Sequence, residues 1–199
     1  LQRWYVRPRD VLDLCCGTGR LSIHLARHGG EVVGVDLACM AEAAQRSNPH
    51  PRVSYVAGNV EALDFARDTF DVIVSVGAVA CVCDSRAKFD AMILQLHGLL
   101  KPGGMLITME PFHACPVIRR PLRTSPRAAV KHFERGGFKL LSKQPLLFQL
   151  SWLFLARPWW PAPRAVTSFL FRLGEAMLRI PGVARLSDYK LLALRKERP

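Results

Sequence analysis

Along the first hundred residues, short apolar runs take turns with amphipathic stretches. DVLDLC at 10–15 is an apolar run that leads into a glycine-rich turn. LSIHLARHGG then spaces Leu21, Leu25 and Ala26 at helical intervals, and Gly29 and Gly30 close that helix. EVVGVD at 31–36 predicts a second strand. MAEAAQR predicts a helix that stops at Asn48 and Pro49, because a residue ahead of proline is pushed out of the helical region. Strand patterns follow at 52–58, 70–78 and 105–110, with a helix over about 86–99 and a KPGG turn at 101–104. The strands are nearly continuous in apolar residues, and helices separate them. That combination predicts a parallel sheet covered on both faces.

After Pro111 the pattern changes. A basic stretch, RRPLRTSPR, leads to a predicted helix over about 126–135, a stop at Gly136 and Gly137, and a strand starting at Phe138. YKLLALRK is the last strand-like run, and the segment before it, at about 146–187, reads as an insertion. That insertion is strongly apolar, is broken by Pro158, Pro161, Pro163 and Pro181, and holds Trp152, Trp159 and Trp160. Within it TSFLFRLGEAMLRI sets apolar residues at 169, 170, 173, 177, 178 and 180 with Arg172 and Arg179 beside them, which predicts an amphipathic helix. Such a helix serves core packing, or it lies on an anionic membrane surface or receives a greasy acceptor.

Length and composition narrow the class. A chain of 199 residues with half its residues hydrophobic suits one domain, 1–199, with a first half to residue 110 and a second half from 111. No run approaches the ~20 apolar residues of a spanning helix, so a cytoplasmic protein is expected, with peripheral contact at the inner membrane face as the more specific alternative. The six cysteines lie mostly in strand-like runs, where they act as small buried hydrophobes. Cys81 and Cys83 lack a second ligand pair, so no metal site is expected. Charge is uneven. Residues 1–118 hold 11 Lys and Arg against 12 Asp and Glu, net −1, whereas residues 119–199 hold 17 against 4, net +13. The basic half points to an anionic partner, whether nucleic acid, phospholipid or acidic substrate, or to a solvated basic surface.

The chemistry concentrates in VLDLCCGTGR at 11–20. Gly17 and Gly19 allow a tight turn and close approach of a ligand to backbone amides at a helix start. Asp36 ends the second strand, where a carboxylate accepts hydrogen bonds from two ribose hydroxyls or caps the next helix. A dinucleotide site would require a third glycine where Ser22 stands, so that fingerprint is incomplete.

These residues resemble the class I S-adenosylmethionine-dependent methyltransferases, in which an acidic residue on the first strand opens a glycine-rich loop, here Asp13, Cys15, Gly17 and Gly19. The resemblance continues through GVD at 34–36, Met40, GNVEALDF at 58–65, FDVIVSVGAV at 70–79 and LLKPGGML at 99–106, five motifs in order. It implies a doubly wound α/β/α fold whose mostly parallel seven-stranded sheet has an antiparallel last strand, with the insertion just before it. It also implies S-adenosylmethionine as cofactor. The Gly17–Gly19 loop would lie against the methionine part and Asp36, with Leu37 beside it, would hold the ribose. Asn59 and Val60 would flank the adenine, and Ser75, Val76 and Gly77 would close the site beneath the sulfonium.

Two positions depart from the family pattern: Cys15 stands where glycine is usual, and Asn59 where an acidic residue is usual. An amide oxygen can still accept a hydrogen bond there, without the charge. Residues 1–9 are shorter than the helices the family often places ahead of its first strand, the expectation for a fragment. No Asn-Pro-Pro-aromatic tetrapeptide follows the fourth strand, so base or glutamine amino groups gain no support as acceptors. The expected function is methyl transfer to a small, apolar or lipid-like acceptor at O, C or N. RNA methylation through the basic half and a non-catalytic cofactor-fold protein are the alternatives. His113 is the candidate base for a phenolic or alcoholic acceptor, or an exposed loop histidine, and Glu110 and Asp84 are weaker candidates that serve equally well as caps.

Overall fold

The structure is a computed structural model, and it describes residues 10–112, 124–146, 163–180, 182–187 and 189–197. Seven strands form one sheet: β1 (Asp10–Leu14), β2 (Glu31–Asp36), β3 (Val53–Ala57), β4 (Phe70–Val76), β5 (Leu100–Glu110), β6 (Phe138–Leu146) and β7 (Tyr189–Lys196). Their spatial order is β3-β2-β1-β4-β5-β7-β6. Pairings from β3 through β5 are parallel, and β7 is antiparallel to both β5 and β6. The strand order reverses between β1 and β4, the kind of crevice where open α/β sheets bind ligands outside the strand ends.

The helices are α1 (Arg20–Arg27), α2 (Ala38–Ser47), α3 (Ala78–Val82), α4 (Arg86–Leu99), α5 (Pro126–Arg135) and α6 (Arg164–Met177). Alternating residues of the central strands feed two cores on opposite faces of the sheet, whereas the edge strand β3 contributes Val53 and Tyr55 to one of them. Leu12, Leu14, Ile73 and Leu106 pack with Phe89, Ile93 and Leu96 of α4 and Phe133 of α5. Val11, Val32, Val72, Val74 and Met105 pack with Leu25 and Ala26 of α1. A buried aliphatic or aromatic side chain of this kind contributes about 1.5–3 kcal/mol, and the continuous apolar runs of β1 and β4 reflect burial on both faces.

Most sequence boundaries hold to within a few residues, and three differences have physical causes. The fourth strand ends at Val76 rather than 78, because Gly77 takes a left-handed conformation (φ 71°) and starts α3, a helix the sequence reading lacks. The KPGG segment lies inside β5: the register slips between Phe70–Leu100 and Val72–Met105, and Lys101 reaches back to Asp10 and Asp71 at 2.7 and 3.2 Å. The helix expected from residue 167 begins three residues earlier, at Arg164, directly after Pro163. Among the described residues no helix is long and apolar enough to cross a membrane.

Candidate active site

The turn after β1 is held by its own chain. Cys16 N–H donates to Val35 O (3.1 Å), Gly19 N–H to Cys16 O (3.0 Å), and the Asn48 side-chain amide at the end of α2 to Thr18 O (2.7 Å). Gly17 N–H donates to one oxygen of Asp36 at 2.8 Å, and the Leu37 N–H donates to the other at 2.8 Å. Asp36 therefore couples the loop after β1 to the loop after β2. It stays partly exposed, with its carboxylate able to accept further donors.

Asp13 lies one turn of the pleat below. It is 2% exposed, and the Ser22 hydroxyl of α1 donates to it at 2.6 Å. Burial pushes its carboxyl up to about 6, and the Ser22 hydrogen bond only partly opposes this. Ser22, which breaks the dinucleotide fingerprint, is thus the partner of Asp13 and is itself fully buried.

The two loop glycines do different jobs. At Gly17 (φ 56°) a Cβ would meet nothing within 4 Å, so the loop opens onto free space there. At Gly19 (φ 79°) a Cβ would stand 2.2 Å from the Tyr55 hydroxyl oxygen. Gly34 makes room for the same ring, with its Cβ position 2.9 Å from Tyr55 Cδ1. Tyr55 donates its hydroxyl to Asn48 O at 2.9 Å and pins α2 against the loop. Gly19 is therefore required by packing, a role the motif alone does not reveal.

The remaining sequence-selected residues fall in different places. Leu37 and Val76 are 63% and 44% exposed, apolar side chains standing open at the rim. Asn59 is exposed and its side-chain oxygen accepts from Glu61 N–H (2.9 Å), while Val60 is buried and its carbonyl accepts from Gln95 (2.8 Å). Cys15 holds a left-handed conformation (φ 55°), which explains why glycine suits this position. Ser75 is fully buried, so its side chain turns into the interior instead of reaching the rim. Its hydroxyl donates to Glu110 at 3.0 Å. His113 lies outside the described residues. Asp84 is exposed and paired with Lys88 at 3.1 Å.

Glu110 is the residue that sequence reasoning undervalued. It is fully buried at the end of β5, and one of its oxygens accepts from Ser75, from Thr108 (2.8 Å) and from Val79 N–H (3.2 Å) in the first turn of α3. It caps α3 and ties β4 to β5. Its only sequence signal is an acidic residue at the end of an apolar strand.

The residues fit S-adenosylmethionine on three observations. The loop has open space above Gly17, a carboxylate with spare acceptor capacity stands at the end of β2, and two apolar side chains are exposed beside them.

Residues 11–104 match the family described as methyltransferase domain. The chain is 32% identical over 111 residues to a demethylmenaquinone methyltransferase of Lysinibacillus sphaericus, covering 53% of this chain and 46% of that protein. It is 36% identical over 117 residues to a 2-phytyl-1,4-naphtoquinone methyltransferase of Thermosynechococcus vestitus, covering 55% and 50%. The chain thus spans about half the length of the curated relatives it matches. In fold it is similar to an S-adenosylmethionine-dependent methyltransferase of Mesorhizobium loti, with a TM-score of 0.66 and 20% identity over 98% of this chain and 94% of that one. Over residues 11–104, just under half of its length, the chain is thus similar to the methyltransferase domain family, and in fold it is similar to an S-adenosylmethionine-dependent methyltransferase.

Proposed function

We propose that the chain transfers a methyl group from S-adenosylmethionine to an apolar small-molecule acceptor, with quinone-like rings as the leading class. The observation that carries the donor half of this reading is Asp36, which joins the Gly17 loop to Leu37 while keeping its carboxylate partly exposed at the strand-order reversal. The acceptor half draws on the relatives, two of which carry quinone names.

When bound, S-adenosylmethionine supplies a methyl group already activated on a sulfonium. The chain's part is therefore chiefly to bind and align. The pre-formed loop after β1 presents backbone to the ligand without reordering, Asp36 accepts from sugar hydroxyls, and Leu37 and Val76 offer apolar surface to a flat ring. The fully buried Ser75–Thr108–Glu110 set holds the end of β4 in place beneath that surface. The test is calorimetric titration with S-adenosylhomocysteine. Asp36→Ala is expected to weaken binding at least 30-fold, about 2 kcal/mol for lost charge-assisted hydrogen bonds, and unchanged affinity would overturn the site. A screen of quinone-like, phenolic and amine acceptors then reads the second half.

We further propose that α6 meets an anionic membrane surface. Val166, Phe169 and Leu173 along one side of it, and Ile180 just beyond its end, are 38, 65, 43 and 52% exposed. On the opposite side Gly174 and, after the last turn, Leu178 are buried, while Phe171 is 50% exposed. Arg172 and Arg179 are exposed beside the apolar stripe, the arrangement of a helix lying in a lipid interface. Sedimentation with phosphatidylglycerol-containing vesicles is expected to pull down the protein, pure phosphatidylcholine vesicles far less, and Phe169→Ser with Leu173→Ser neither. Equal lack of binding to both vesicle types would reject this contact.

A further inference from the structure

A second concave site lies on the same edge of the sheet, away from the loop after β1. It is a cavity of about 400 Å³ between the start of α5 and the β6–β7 pair, lined by Ser125, Arg127, Lys143, Pro145, Ala184 and Lys190. Register explains how residues so distant in sequence converge. Pro145 is the cross-strand partner of Lys190, and Lys143 is the partner of Leu192, so Lys143, Pro145 and Lys190 share the face that packs on α5.

The chemistry of this lining is one-sided. Three cationic side chains face one cavity, and no carboxylate is among its lining residues within the described part of the chain. Lys190 is 5% exposed and its ammonium is fixed by the carbonyl of Ser187 (2.7 Å) and by the Ser187 hydroxyl. Among the described residues neither Arg127 nor Lys143 forms an ion pair. Glu110 is the cross-strand partner of Lys190 and receives three donors from β4, β5 and α3, so the cationic excess at the cavity rests on Arg127 and Lys143. Positive charges placed close together against the apolar walls of Pro145 and Ala184 raise the local potential, and a concave low-dielectric wall strengthens its pull on an anion.

We propose that this cavity is an anion subsite, holding a phosphate or carboxylate group of the acceptor. The link to the acceptor rests on the methyl-transfer reading; the anion site itself does not. Three strand spacings of about 4.8 Å separate the β1–β4 crevice from the β7–β6 crevice, roughly 14 Å along the rim. The acceptor is then an amphiphile whose anionic group lies about that far from the methylated atom.

The test is calorimetric titration with inorganic pyrophosphate at low salt, run in parallel with S-adenosylhomocysteine. Saturable pyrophosphate binding is expected, weakened at least tenfold in the double variant Arg127→Gln, Lys143→Gln, with S-adenosylhomocysteine affinity unchanged. Both substituted side chains are at least partly exposed, so the variant keeps its core. Absence of saturable binding, or binding untouched by the double variant, would overturn the proposal. If pyrophosphate binding and its dependence on the two cations hold while S-adenosylhomocysteine fails to bind, the anion site stands and methyl transfer falls. Short-chain phosphatidic acid below its micelle concentration separates the sources of the anion. Tighter binding than inorganic phosphate assigns the group to a lipid, and the reverse order assigns it to a free phosphorylated or carboxylated molecule.

Discussion

Two buried carboxylates stand at the same edge of the sheet and are treated in opposite ways. Asp13, under the loop after β1, has one side-chain donor, Ser22, and sits near the second carboxylate Asp36, so burial dominates and raises its proton affinity. Glu110, at the end of β5, gathers two hydroxyls and a helix N–H on a single oxygen. The first arrangement leaves a group whose charge responds to its surroundings, next to the ligand loop. The second makes a rivet between strands and helix. The proposed cofactor site therefore has on one side a carboxylate whose proton affinity is raised by burial and on the other a carboxylate held in place by three donors.

Removing the rivet is the harshest way to test this contrast. Glu110→Ala leaves the Ser75 and Thr108 hydroxyls and the Val79 N–H buried without their acceptor, and is expected to cost about 4 kcal/mol in urea unfolding. Glu110→Gln keeps an acceptor oxygen and should lose less than half of that. A cost below about 1 kcal/mol for the alanine variant would show that the three donors find other partners and that Glu110 is no rivet.

The titrating carboxylate is tested by pH. The native state holds the Asp13 proton up to about pH 6, whereas an unfolded aspartate releases it near 4, so over that interval the native state binds more protons. Stability from this group therefore falls as pH rises from about 4 through 6, by about 1.4 kcal/mol per unit and about 3 kcal/mol in all. Asp13→Asn should flatten the difference in urea midpoints between pH 4.5 and 7. A slope that survives the substitution would place the titrating group elsewhere.

How much of this was legible in advance follows the sequence separation of the contacts. The loop after β1, Asp36 and the parallel βαβ start of the sheet were readable, because Asp13 and Ser22 are nine residues apart and Gly17 and Asp36 nineteen, within one βαβ unit. Glu110 bonds Ser75 across 35 residues, and the cationic cavity joins three elements from Ser125 to Lys190, so neither leaves a local pattern. Gly19 falls between these cases. The motif selects it correctly, but the reason is the Tyr55 ring, 36 residues on. Gly19→Ala is expected to destabilise by about 2 kcal/mol, of which about 1 kcal/mol, the left-handed strain, should persist in a Tyr55→Ala background. Full additivity of the two changes in a double-mutant cycle would mean that the ring yields freely.

The smallest effect belongs to Cys15, where the adjustable side of the comparison departs from its family. Its φ of 55° costs a residue with a Cβ about 1 kcal/mol, and glycine would remove that cost. Two losses oppose the gain. Glycine restores about 0.5–1 kcal/mol of backbone entropy to the unfolded chain, and the Cys15 side chain packs, half-buried, on the core beneath α4. Cys15→Gly should therefore change the urea midpoint by no more than about 0.5 kcal/mol in either direction. Its clearer signature is in binding: if the side chain crowds the loop proposed to lie against the methionine part, S-adenosylhomocysteine affinity rises several-fold at nearly constant stability. A loss of more than about 1 kcal/mol would instead make the thiol a packing anchor, and the loop after β1 would then be fixed by its own apolar contacts as firmly as the end of β5 is fixed by Glu110.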